Sequence, residues 1–153
     1  MHSEHLQNVS PGRVVTGWLV AIAVTSFVAF GFVLVGLLGD TSPHDTAWAI
    51  TAVAIGFLVG GWFAGYGALE APILHGVAIG LTTLVVWVVL NLIMVIGFRG
   101  VEWEGLTAST TAAVILTQIA AAVAGCWMGA RGARLRATEL SGPGTGVRDR
   151  AEE

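Results

Sequence analysis

At 153 residues, with 55% hydrophobic and 11% charged side chains, the chain is too apolar for a water-soluble domain; charged residues normally supply about a quarter of one. Its mean hydropathy of +0.79 leads to the same exclusion. A net charge of −3 without a basic patch excludes a nucleic-acid interface, and Cys126, the single cysteine, excludes an intrachain disulfide.

Residues 1–13 form a short polar N-terminal segment. His2 and His5 have no further ligands nearby, so no metal site is expected there. Four apolar stretches follow: Val14–Leu38, Ala47–Leu69, Gly76–Phe98 and Leu106–Met128, none with a charged residue or His in its interior. A spanning helix needs about 20 apolar residues, because the hydrocarbon core is about 30 Å thick and a helix rises about 1.5 Å per residue. The expected fold is all-α, an integral membrane four-helix bundle over residues 14–130. The first stretch exceeds the h-region of a signal peptide and is read as a retained helix. Residues 131–153 are expected to be a basic and then disordered cytoplasmic tail, with 138–153 lacking any periodicity.

Arginine placement sets the expected orientation. With the N-terminus inside, Arg13, Arg131, Arg134, Arg136, Arg148 and Arg150 are cytoplasmic and Arg99 alone is outside. Asp40, Asp45, Glu102 and Glu104 then fall in the outer loops. Trp18, Trp48, Trp103 and Trp127 lie near span ends, as an interfacial belt requires. Arg131, Arg134 and Arg136 are expected to meet anionic lipid. All basic residues are Arg, and Ala, Val and Gly are abundant, which points to a GC-rich bacterial genome. A bacterial inner (cytoplasmic) membrane with both termini in the cytosol is the expected location.

Small residues recur every four positions, the small-xxx-small pattern that lets helix backbones approach closely in lipid. The fourth span carries Ser109, Ala113, Thr117, Ala121, Gly125, Gly129 and Ala133. The second carries Ala52, Gly56, Gly60 and Ala64 beside Gly61 and Gly65; the first, Gly17, Ala21, Thr25 and Ala29; the third opens with Gly76 and Gly80. Each four-residue step advances about 400°, so a stripe drifts by about 40° per step. Such contact serves either one bundle or self-association, for which Gly56-x-x-x-Gly60 is a known kind of signal. The link from Leu69 to His75 is short enough to predict that spans two and three are adjacent antiparallel helices, with Pro72 in the first turn of the third.

Four polar residues mark a possible path or interhelical hydrogen bonds: Asn91, Gln118, Glu70 and His75. Asn91 and Gln118 lie inside spans and are expected to face other helices, with a mutual bond plausible. Glu70 and His75 flank the short link, where they meet as an ion pair or a solvated turn. Trp62 and Trp87 are expected to fill gaps around the glycines, without aromatic partners.

No Ser/His/Asp set, HExxH, CxxC pair, P-loop or dinucleotide fingerprint is present. The histidines lie outside the spans, which leaves haem ligation unsupported, and no intramembrane carboxylate is present for ion-coupled export. No catalytic residue, metal or cofactor is expected.

Gly60-Gly61-x-x-Ala64-Gly65, followed after a short turn by His75-Gly76-x-x-x-Gly80, resembles a group of small four-span bacterial integral membrane proteins of unknown function. That resemblance covers about Gly56–Gly80 closely and implies a four-helix membrane protein with no assigned activity. The expected role is a non-enzymatic structural or partner-binding membrane component, partnered by lipid, a second copy or another membrane protein. The alternative is a small oligomeric channel or facilitator with a polar path between helices.

Overall fold

The computed structural model describes residues 9–39, 44–97 and 108–140. They form four helices, α1 (Pro11–Leu34), α2 (Asp45–Gly67), α3 (Pro72–Gly97) and α4 (Ala108–Leu140), with no strand among the described residues. Each helix contains a stretch long and apolar enough to cross a membrane. The chain is an all-α bundle and a multi-pass membrane protein. The readings for His2, His5, Asp40, Arg99, Glu102, Trp103, Glu104 and residues 141–153 lie outside the described residues.

The distribution of apolar surface is that of a protein dissolved in lipid. Only 11% of the most apolar window of α1, and 33% of that of α2, is buried inside the bundle. Phe27 and Ile96 are 79% and 71% exposed. In water a continuous apolar surface of this kind drives aggregation; in hydrocarbon it costs nothing.

Helix boundaries follow local chemistry. Pro11 sits at the start of α1, where its missing N–H is harmless. Gly36, at φ +74°, ends α1 in the left-handed region. The N–H groups of Leu37 and Gly36 then close back on the carbonyls of Phe32 and Val33, at 2.9 and 3.1 Å, satisfying carbonyls the helix leaves open. The helix therefore stops at Leu34, short of the expected Leu38. Asp45 opens α2, and its Oδ1 accepts the N–H of Gly39 at 3.2 Å; a carboxylate there also complements the helix dipole.

Three expectations need correction. First, with Pro72 in the first turn of α3 as expected, the helix includes His75, a residue expected to lie outside the spans. Second, α4 runs on to Leu140, so the basic segment and the start of the expected disordered tail are helical. At about 50 Å, α4 outreaches the hydrocarbon core by several turns. Third, α2 and α3, expected from their short link to be adjacent antiparallel helices, touch only slightly. α2 packs chiefly on α4 and then on α1, α3 packs chiefly on α4, and the α2–α3 contact is smaller than any of these. The reason lies in the two glycine faces of α2, which receive α1 and α4 and leave no close-approach surface for α3.

Candidate functional site

The adjacent glycines of α2 serve different neighbours. Successive residues on a helix are turned by about 100°, so Gly60 and Gly61 open two separate faces. A Cβ at Gly60 would lie 2.8 Å from the backbone nitrogen of Ala21, and one at Gly56 would lie 2.6 Å from its carbonyl oxygen, both on α1. A Cβ at Gly61 would meet the backbone of Ala122, and one at Gly65 would come within 2.5 Å of the Cα of Cys126, both on α4. Ala64 continues the first face, since a Cβ at Gly17 would lie 2.8 Å from its methyl group.

The α4 side interlocks in return. Added Cβ atoms at Gly125 and Gly129 would stand 2.8 Å from the amide nitrogens of Trp62 and Tyr66. The pairings Gly61–Ala122 and Gly65–Cys126 rise together in number, so α2 and α4 run parallel. Against α3 the order reverses: Cβ atoms at Gly76 and Gly80 would lie 2.5 and 2.9 Å from the Cα atoms of Val123 and Ile119. Real side chains do not approach backbone so closely, so these glycines set the helix spacing. Ala121 is half-buried against the core cluster.

The fourth-span stripe is not one continuous seam. Ser109 and Ala113 are exposed, while burial further along passes to Gln118, Ala122, Gly125, Cys126 and Gly129. The drift of about 40° per step carries the stripe into contact only in its second half. Between the faces, Phe57, Ile79 and Cys126 fill the interior. Phe57 escaped sequence reading because nothing local separates it from Phe27 and Phe30, which are exposed.

The four polar residues do not come together. Asn91 donates from Nδ2 to the carbonyl of Trp87, 2.7 Å away on its own helix, rather than to Gln118. Gln118 is buried, and its Oε1 has no hydrogen-bond partner, an omission that costs about 1–3 kcal/mol for a buried group. Glu70 is exposed. His75 is buried, with Nδ1 bonded to the carbonyl of Ala71 at 2.8 Å and Nε2 accepting the N–H of Ser10 at 3.1 Å. Those two bonds make His75 a buried clamp from α3 to the start of α1, in place of the ion pair with Glu70 or the solvated turn expected at the link.

The tryptophans also differ from expectation. Trp62 and Trp87 are 49% and 48% exposed and face outward instead of filling the interior. Trp62 has an aromatic neighbour, Tyr66, at 6.3 Å between centroids. Trp18 donates from its indole N–H to Thr83 Oγ1 at 3.0 Å, tying α1 to α3. Trp48 meets Phe32 edge-on at 5.3 Å.

Arginines gather at one end of the bundle. Arg13 lies beside Gly67, where its Nε would be 3.3 Å from an added Cβ. Arg134 donates to the carbonyl of Leu69, just past the end of α2. Arg136 donates to the Tyr66 hydroxyl at 3.0 Å and lies over that ring, and Arg131 lies over the Trp127 ring at 5.3 Å. Cations at a helix C-terminus complement its dipole, and here they also anchor the extended end of α4. Compared with protein-family models, curated proteins and solved structures, the chain matches none.

Proposed function

We propose that this chain is a non-enzymatic component of a bacterial cytoplasmic membrane, a rigid four-helix element that presents its outer faces to a partner protein or a second copy. The observation that carries this reading is the closed interior. Backbone-to-backbone packing at Gly56, Gly60, Gly61, Gly65, Gly125 and Gly129 draws α2 tightly against α1 and α4, and Phe57 and Ile79 are fully buried among the described residues. His75, the residue best suited to acid–base work, has both ring nitrogens bonded to backbone. In this reading both termini face the cytosol, and Arg131, Arg134 and Arg136 sit at the anionic inner leaflet, at about 1 kcal/mol of attraction per basic residue.

Photocrosslinking from exposed positions in native membranes tests the proposal. A photoreactive amino acid at Phe27, Trp62 or Leu116 is expected to give a discrete heavier species containing a second protein or a second copy. Lipid adducts alone at all three positions would contradict it. So would ion or solute flux through reconstituted vesicles that responds to Gln118→Leu.

A further inference from the structure

We infer that the cleft between α3 and α4 is a binding site for a compact, lipid-soluble alcohol or phenol, held by the Gln118 carboxamide. The cleft has a volume of about 80 Å³ and is partly open at its rim. Leu84 and Trp87 of α3 and Val114 and Ile115 of α4 form its apolar walls, with Thr83, Thr111 and Gln118 as polar members. Gln118 is the most buried of these, at 6% exposure, and its carboxamide oxygen has no hydrogen-bond partner.

Size and chemistry select the ligand. A water molecule needs about 10–15 Å³ and two to four polar partners; this cleft is several times larger and mostly apolar. An engineered apolar cavity of about 150 Å³ in another protein holds a benzene ring, so a single ring that protrudes through the rim matches the space. Trp87, about half exposed at that rim, offers such a ring a flat face. The Thr83 hydroxyl accepts the indole N–H of Trp18, and of the cleft's three polar side chains it is Gln118 whose oxygen is buried without a partner. A carboxamide exchanges its oxygen and nitrogen by a half-turn of its terminal torsion. A ligand hydroxyl, both donor and acceptor, suits either orientation, whereas a hydrocarbon suits neither.

The test uses the full chain in lipid nanodiscs and a photoreactive benzyl alcohol bearing a diazirine. Labelling is expected within residues 83–87 or 111–118. Competition by p-cresol is expected at about tenfold lower membrane concentration than by p-xylene, which has the same shape without the hydroxyl; one well-formed hydrogen bond gives a ratio of about this size. In Gln118→Met the two competitors should become equal. Because the p-cresol and p-xylene comparison is made on the unaltered protein, the outcome does not depend on that variant folding. Equal competition in the unaltered protein, label scattered over the outward faces of all four helices, or a cleft found occupied by a second copy would each overturn the inference.

Discussion

His75 of α3 accepts a hydrogen bond from the backbone N–H of Ser10, 65 positions earlier in the chain and 3.1 Å away. Ser10 is the N-cap of α1, and its carbonyl accepts the N–H groups of Arg13 and Val14. A buried imidazole thus holds the point where α1 enters the bundle. His75→Ala is expected to cost about 1–3 kcal/mol by leaving Ser10 unpaired. Faster amide exchange over the first turn of α1, with a lowered melting temperature in detergent, would confirm the role. Unchanged exchange at residues 10–14 would refute it.

The glycines divide into two classes that substitution separates. Gly61→Ala drives a methyl group into the Ala122 backbone, and Gly125→Ala into that of Leu58 and Trp62. Overpacking of this kind costs about 1–3 kcal/mol, and Leu at either site more. Gly31 and Gly132 have nothing within 4 Å of an added Cβ, so Ala there should be neutral or stabilising by up to about 1 kcal/mol. Thermal unfolding of the four alanine variants checks the contrast. Equal effects in both classes would contradict the packing scheme.

Arg134 and Arg136 tie the overhanging end of α4 to the end of α2. Arg134→Ala removes the donor to the Leu69 carbonyl, and Arg136→Ala removes both the Tyr66 hydrogen bond and the cation–ring contact. Both side chains are exposed on the chain, so each loss is expected to be about 0.5–1 kcal/mol. Amide exchange should rise over residues 131–140 and stay unchanged over residues 118–126. Protection lost evenly along α4 would argue against a local anchor.

Thr83→Val keeps the shape of α3 but removes the acceptor for the Trp18 indole N–H. Interhelical hydrogen bonds in lipid average about 0.6 kcal/mol, so a loss of about 0.5–1.5 kcal/mol is expected, with a changed Trp18 emission. Trp18→Phe should cost a similar amount, and the double variant little more than either single one. Additive losses would mean that the two side chains act separately.

Much of this architecture is legible in the residues, and the parts that are not have physical causes. Hydropathy reveals where lipid is the solvent, because no charge interrupts the spans. It does not reveal where a helix stops: beyond Met128, Ala, Arg and Leu remain strong helix formers, so α4 continues through Leu140 after leaving the apolar zone. Small residues on α2 are visible, but partners are not, since stripes on α1, α3 and α4 offer similar surfaces. Pairing depends on which faces meet in three dimensions, and the parallel α2–α4 pair joins helices far apart in sequence. Gln118 stands out as a polar group in a span, yet its neighbours do not. The His75–Ser10 bond has no local signal, because its donor is a backbone N–H that any residue there would supply.

The most direct test of a chain that enters the bilayer four times, with the arginine-rich helix ends on one side, is tag accessibility at both termini. Measured in spheroplasts and in inverted membrane vesicles, both tags should be digested only in the inverted vesicles. Tags digested from opposite faces, or a purified chain that stays dispersed without detergent, would contradict it.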